Sequence, residues 1–514
     1  MLVKTGLLVV SNPQHIGRIL SNVQQKVKST LYIQLLSALS EPLSFHPNLF
    51  TSWPKYSQTI WGIYSQAATY CQGLDVRVLL SGIKYQNISK IQTQKKIELV
   101  IFDKIYNQND IDGFLQAKIE NVSKECGVEI ANNDVSDDLC VDNVGNDKIY
   151  KHTVLGGTFD RLHIAHKILL SEAALRSTSR ITVGVTEENM LKTKTLWELV
   201  EPYETRANSV KDFLSDICPE LDVSIAPLTD AFGPTQNDPS MELLVVSAET
   251  LKGGQKVNEV RQEKELSVLD VLSVELIDEP HRNAVEEEKI SSSTSRMRLL
   301  GTLLKPPSKN PNLPVKPYII GLTGGIASGK SGIVQRLREL DAEVIDCDKV
   351  AHELYQNGKP CHTLIVEAFG DCVLASNGEI DRKVLGSIVF KDPNQLQKLN
   401  SLIWPAIAEE VSNRIKNSQA QVVVIEAAVL LTAGWEKLCH EVWATMVPQT
   451  EAIHRLKTRN GLTEDQARNR ISSQPNNQIY VEAANVVFCS LWAVEYTRSQ
   501  VDKAWSLLQD RLPL

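Results

Sequence analysis

A short apolar run that ends in glycines, a lysine and a serine fixes much of what this chain can become. Tyr318-Ile319-Ile320 leads through Gly321 into Gly324-Gly325-Ile326-Ala327-Ser328-Gly329-Lys330-Ser331. This is G-x-x-x-x-G-K-S, the phosphate-cradling loop that joins a strand to a helix. Its glycines let successive backbone N–H groups turn towards one anion, and the following helix adds its positive N-terminal end. Lys330 is expected to reach the terminal phosphates of a nucleotide, and Ser331 to ligate Mg²⁺. A chance Gly-rich turn is the rival reading; the strand before and the helix after weigh against it.

The remaining composition bounds the class. With 514 residues, the chain is too long for one core, and three domains are the natural expectation. A net charge of −8 argues against nucleic acid or an anionic membrane as the main partner. Nine cysteines, with no C-x-x-C pair, read as free thiols in a reducing compartment. No apolar run spans a bilayer, because residues 422–431 are too few and are interrupted by Glu426. No secretory signal is found. These features point to the cytoplasm. The first 40 residues nonetheless carry Lys4, Arg18, Lys26 and Lys28 and no acidic residue. An acid-poor leader can be a mitochondrial address, so that localisation, with peripheral membrane association through the N-terminal domain, is the alternative. The competing reading of the same residues is an ordinary strand over 6–10 followed by a helix.

Residues 1–131 alternate short apolar runs with helical stretches: Leu7-Leu8-Val9-Val10, Leu31-Tyr32-Ile33, Val76-Arg77-Val78-Leu79-Leu80 and Leu99-Val100-Ile101-Phe102. That is an α/β pattern without a nucleotide loop, metal cluster or nucleophile constellation. Its role stays open. Residues 132–149 are polar and acidic and read as a linker.

A strand over 150–155 then delivers Gly156-Gly157-Thr158-Phe159-Asp160-Arg161-Leu162-His163-Ile164-Ala165-His166. The glycines allow close backbone approach. His163 and His166 stand one helical turn apart near a helix start, where imidazoles can donate to phosphate oxygens. A solvated helix face or a metal site are the alternatives, and Asp160 alone is thin support for a metal. Farther on, Lys289-Ile290-Ser291-Ser292-Ser293-Thr294-Ser295-Arg296 is a hydroxyl run closed by an arginine, ahead of a helical stretch expected over 297–304. Alone it would be a helix cap; with G-G-T-F-D-x-x-H-x-x-H it offers a second phosphate grip.

Together these motifs resemble the nucleotidyltransferases marked by H-x-G-H and a late Ser-rich, Arg-closed motif, with Ala165 in place of the usual glycine. Met190-Leu191-Lys192-Thr193-Lys194, Glu201-Pro202-Tyr203-Glu204-Thr205-Arg206 and Ser247-Ala248-Glu249-Thr250-Leu251-Lys252-Gly253-Gly254 narrow the resemblance to phosphopantetheine adenylyltransferases of the eukaryotic type. This domain is expected over 150–305. The Pro-rich stretch 306–317 follows as a semi-rigid spacer.

In the last part, 318–514, a strand over 344–345 ends in Asp346-Cys347-Asp348, and a second apolar strand, Val422-Val423-Val424-Ile425, runs into Glu426. Carboxylates at strand ends facing a phosphate loop can hold Mg²⁺ or orient a hydroxyl; they can equally cap the next helix. Arg455, Arg459 and Arg470, with Gln474, punctuate a helical region. Such arginines form either a solvated face or a lid over phosphates. This order, with Phe369-Gly370, Asp381-Arg382, Val389-Phe390 and Leu399-Asn400, resembles dephospho-coenzyme A kinases. It departs from their bacterial pattern at Trp404-Pro405 and at Glu426-Ala427-Ala428. Each departure is expected to keep part of its motif's acidic group or proline turn.

The fusion resembles eukaryotic bifunctional coenzyme A synthases. The resemblance implies a Rossmann-like nucleotidyltransferase domain followed by a P-loop kinase domain, preceded by a smaller α/β domain. It implies adenylyl transfer from ATP to 4′-phosphopantetheine, then phosphorylation of the dephospho-CoA ribose 3′-hydroxyl, with Mg²⁺ as cofactor and no nucleic acid partner. Its implied catalytic residues are His163, His166, Lys192, Arg296, Lys330, Asp348 and Arg459. ATP would lie against Gly156, Gly157, Thr158, Phe159, Ser291, Ser292, Ser293 and Thr294 in the first site, and against Gly324 to Ser331 in the second. Ser331, Asp346 and Glu426 would serve the metal. Two rivals are a fused nucleotidyltransferase and nucleoside kinase acting on other substrates, and a nucleotide-binding scaffold.

Overall fold

The computed structural model describes residues 2–13, 16–36, 53–85, 88, 90–131, 148–389 and 391–512. Most of the expected linker over 132–149, and Phe390, fall outside them. The chain divides into two compact units, Met1–Ser295 and Arg296–Leu514.

The first unit holds two parallel five-stranded sheets. One contains β1 (Val3–Val10), β2 (Val27–Leu35), β3 (Asp75–Val78), β4 (Ile97–Phe102) and β5 (Val122–Ile130), in the order β3-β2-β1-β4-β5. β1 is buried continuously from Thr5 to Val10, as expected of a central strand covered on both faces. Its side chains alternate between two cores. Leu8 and Val10 cluster with Ile16, Ile19, Ile60 and Ile63, whereas Leu7 and Val9 cluster with Ile111 and Phe114. The apolar run over 76–80 supplies β3 only as far as Val78. Leu80 N leaves the sheet and donates to Ile217 O at 2.8 Å.

The other sheet contains β6 (Tyr150–Gly157), β7 (Ser177–Thr186), β8 (Asp222–Leu228), β9 (Leu243–Ser247) and β10 (Asp270–Val274), in the order β10-β9-β6-β7-β8. β6 sits where the strand order reverses, and its carboxyl end therefore opens into the crevice that suits a ligand.

The second unit holds β11 (Tyr318–Gly324), β12 (Glu343–Asp346), β13 (Val422–Glu426), β14 (Glu441–Met446) and β15 (Val486–Cys489), all parallel, in the order β12-β13-β11-β14-β15. Every residue of β11 is buried, and Ile320 and Leu322 pack with Ile333, Val334, Leu337 and Val424. Residues 301–304 run antiparallel along β15. Gly301 N donates to Val487 O at 3.0 Å, Leu304 N to Asn485 O at 2.8 Å, and Leu303 bridges Val486. Asn310 and Pro314 hydrogen-bond to Lys437 O and His440 of the same unit. These three parallel sheets make the chain an α/β protein, with the sheet of residues 1–131 preceding the other two in the sequence.

Two expectations are corrected. The helix expected over 297–304 is Ser292–Leu299, so the hydroxyl run is its first turn and does not merely precede it. Ser291 Oγ accepts Thr294 N at 3.1 Å, a side-chain cap that starts the helix early. Pro405 occupies no turn; it lies inside the helix Pro393–Asn417, which Ile403 and Ile407 anchor in the core on either side of it.

Candidate active sites

The loop after β6 is built by strain and buried polar contacts. Phe159 and Arg161 both take left-handed backbone, at φ 50° and 48°, which few non-glycine residues tolerate. The buried Asp160 offsets this cost: its Oδ1 accepts Glu201 N and Arg161 Nη1, each at 2.9 Å. Glu201 Oε2 in turn accepts Arg161 N at 2.9 Å. Arg206 sits beneath, fully buried, and its guanidinium donates to Thr158 O, Thr186 O and Glu201 O at 2.7 to 2.8 Å. Removing it would leave three carbonyls without those donors. The Glu201-to-Arg206 motif marks the start of the helix Tyr203–Ile217 in the sequence, but its spacing says nothing of the carbonyls that Arg206 ties together.

His163 is the N-cap of the helix Ile164–Arg176, and His166 lies in its first turn. Their rings stack, with centroids 3.7 Å apart and planes 17° from parallel, and Phe159 lies 5.2 Å from His166. Ser292 Oγ approaches His163 Nε2 at 3.3 Å and donates to Asp160 O at 3.1 Å. The structure thus brings His163, His166, Phe159 and Ser292 together at the carboxyl end of β6. A β-carbon at residue 157 would come within 3.1 Å of the Phe159 ring, so this Gly keeps the loop closed on its aromatic floor. Thr294 and Arg296 are buried on the Ser292–Leu299 helix. Lys192 and Lys194 are exposed in a turn.

Desolvation among these neighbours pushes the His166 pKa down to about 4, and the Asp160 carboxylate opposes this only in part. His166 is therefore a neutral donor at pH 7. Its neutral form is favoured on folding, so its contribution to stability is complete above about pH 6.5 and is lost as pH falls from there towards about 4. Titration of the His166 ring protons by NMR is expected to show this low midpoint; an ordinary midpoint near 6.5 would place the ring in water instead.

In the second unit, Gly324 at φ 142° and Gly329 at φ 93° shape the loop between β11 and the helix Lys330–Glu339. A β-carbon at 324 would lie 2.1 Å from Thr445 O, so only glycine fits there. Lys330 Nζ donates to Gly324 O at 2.8 Å and reaches Gly325 O at 3.4 Å. Ile326 N donates to Gln474 Oε1 at 2.7 Å. Arg455 braces the loop, donating to Ala327 O at 3.0 Å and to Ser490 Oγ and O at 2.7 and 2.6 Å. Arg459 and Arg470 are exposed, on the helices Gln449–Asn460 and Glu464–Ser472. Ser331 is exposed at the helix start.

The structure shows the capping reading of Asp346. It caps the helix Cys347–Leu354 by accepting Lys349 N at 3.1 Å, and it also stands at the β12 end beside the loop carboxylates. Burial and the nearby Asp346 charge raise the Asp348 pKa, against Lys330 and Arg382. Burial and Asp346 likewise raise Glu426, with Lys330 opposing. Burial lowers the Lys330 pKa, with Glu426 and Asp348 restoring part of it. Among the described residues, no group of three or more His, Cys, Asp or Glu forms a cation cage. No described helix is long and apolar enough to cross a membrane.

Residues 318–490 match the family model described as dephospho-CoA kinase, and residues 154–298 match the one described as cytidylyltransferase-like. The dephospho-CoA kinase of Carboxydothermus hydrogenoformans is 38% identical over 186 residues, covering 36% of this chain and 90% of that protein. That of Moorella thermoacetica is 38% identical over 199 residues, covering 38% of this chain and 94% of that protein.

Proposed function

Through its C-terminal domain the chain belongs to the dephospho-CoA kinase family, and from that premise we propose that it makes coenzyme A in two steps. A cytidylyltransferase-like domain and a dephospho-CoA kinase domain in one chain fit the last two reactions of coenzyme A biosynthesis. The observation that carries the reading is a pair of strand ends whose donors suit phosphate, the His163–His166 stack after β6 and the Lys330 loop after β11.

In the first step a phosphate oxygen of 4′-phosphopantetheine attacks the α-phosphorus of ATP. The bond to the β-phosphate oxygen breaks, and pyrophosphate leaves with dephospho-CoA as the other product. The nucleophile is already an anion, so orientation and charge stabilisation do the work. His163 and His166 donate to the phosphate oxygens. Lys192 and Arg296 supply positive charge, and Gly156, Gly157, Thr158 and Phe159, with Ser291 to Thr294, line the ATP.

In the second step the ribose 3′-oxygen attacks the γ-phosphorus of a second ATP, and ADP leaves. Asp348 accepts or orients the hydroxyl proton; its raised pKa suits a base. Lys330 neutralises the transferring oxygens, the loop from Gly324 to Ser331 holds the phosphates, and Arg459 closes from the helical lid. Magnesium is the cofactor this loop implies: Ser331, Asp346 and Glu426 would hold it beside phosphate oxygens, where it would neutralise phosphate charge. The donor set suits a hard cation, since burial and the Asp346 charge raise both Asp348 and Glu426, which marks carboxylates short of positive charge.

The test supplies the purified chain with 4′-phosphopantetheine and ATP. Dephospho-CoA with pyrophosphate is expected first, then coenzyme A with ADP. Faster turnover of another acceptor in either step would overturn that step's assignment.

A further inference from the structure

Counted from the first strand of each domain, the two sheets of the first unit have the same order. Residues 1–131 read 3-2-1-4-5, and the histidine domain reads 5-4-1-2-3, the same row from its other edge. All pairings in both are parallel. The sequence repeats the likeness locally. His163-Ile164-Ala165-His166 follows β6 in the sequence, and His15-Ile16-Gly17-Arg18 follows β1, its last three residues opening the helix Ile16–Val23. An arginine stands where the second histidine would be.

At the end of β1 the place for a phosphate is already filled. Asp103, just past the adjacent strand β4, is buried, and its Oδ2 accepts Ser11 N at 2.6 Å, Ser11 Oγ at 2.7 Å and Asn12 N at 3.2 Å. Backbone and hydroxyl donors at a switch point are what a nucleotide phosphate would use. Here the chain's own carboxylate holds them, and its charge repels a second anion.

This domain grips the histidine helix. Lys167, the residue after His166, is buried and reaches across to β3, where Nζ donates to Asp75 Oδ1 at 2.6 Å and Val76 O at 3.0 Å. Arg77 joins Asp75 to Asp216 and Asp212 at 2.7 to 2.8 Å, and Tyr32 Oη donates to Asp216 at 2.5 Å. Although burial opposes ionisation of Asp75, Lys167 and Arg77 hold its carboxyl well below the usual range. With Lys167 fixed in the neighbouring domain, the helix cannot rotate about its axis, and the face carrying His163 and His166 stays on the β6 crevice.

We propose that residues 1–131 are a nucleotide-free copy of the adenylyl-transfer fold whose work is to hold the histidine helix in register, with Lys167 and Asp75 as its positioning residues. This rests on the adenylyl-transfer reading of the middle domain. A small misplacement of catalytic groups costs on the order of 10²-fold in rate. Lys167→Gln in the full chain is expected to lower kcat for dephospho-CoA formation by about 10- to 100-fold. KM for ATP should stay within about threefold, and the kinase step, assayed on supplied dephospho-CoA, should be unchanged. Asp75→Asn should act the same way. The double variant, which restores a neutral hydrogen-bonded pair, should lose less than the product of the two single losses. In parallel, photo-crosslinking with azido-ATP should label peptides of the two later domains and none within 2–131.

Single variants with wild-type kcat, fully multiplicative losses, or a labelled peptide within 2–131 would each overturn the proposal. If the wild-type chain forms no dephospho-CoA, the function of the middle domain falls instead, and the crosslinking alone then decides whether residues 1–131 are nucleotide-free.

Discussion

Lys330→Ala is expected to stop the chain at dephospho-CoA, with coenzyme A formation down by about 10³-fold or more and pyrophosphate release unchanged. The ammonium lies on the carbonyls of Gly324 and Gly325, and the proposed kinase step has it meet the β- and γ-phosphates there. It is also the cation that opposes both raised carboxylates, Asp348 (with Arg382) and Glu426 (with Arg338). Alanine therefore removes the attraction for phosphate and leaves two carboxylates facing it, and both changes act against the same transferring group. Product analysis by liquid chromatography separates the steps, and the unaltered first step serves as the internal control for folding. Wild-type coenzyme A output from this variant would remove the loop from the kinase mechanism.

His166→Ala should give the converse: a loss of about 10²- to 10³-fold in pyrophosphate release, with kinase activity on supplied dephospho-CoA intact. The ring is neutral at pH 7, because desolvation holds its pKa down at about 4, and the proposed role asks a neutral N–H of it. His166→Gln, which keeps a neutral N–H, should therefore recover more of the rate than any substitution without a donor. A stacked ring 3.7 Å away also depends on it, so His163 loses its packing partner in the same variant. An unchanged pyrophosphate rate in His166→Ala would leave the pair a structural cap.

What could be read from sequence and what could not divide along chain separation. The Lys330 loop and the His163–His166 turn are contiguous stretches, so their local shape follows from glycine freedom and helix spacing. The strands were legible for the same reason: buried parallel strands are unbroken apolar runs. Because serines usually cap, the hydroxyl run reads as preceding its helix, yet Ser291 caps so early that Ser292 to Ser295 join the first turn. Arg455 could not be told from Arg459 or Arg470 by spacing; the difference is that Arg455 meets Ala327 and Ser490 in space. Least legible was the role of residues 1–131. It depends on pairs such as Lys167 with Asp75 and Tyr32 with Asp216, which are 92 and 184 residues apart in the chain.

The antiparallel segment 301–304 has a consequence for anyone dividing this protein. β15 is the last strand of its sheet, and a bare outer strand offers its free N–H and C=O groups to any neighbour able to extend the ladder. Gly301 and Leu304 occupy those groups at Val487 and Asn485. A kinase fragment that begins at Tyr318, where the family match starts, would lack this selvedge and would invite other chains to stitch themselves on.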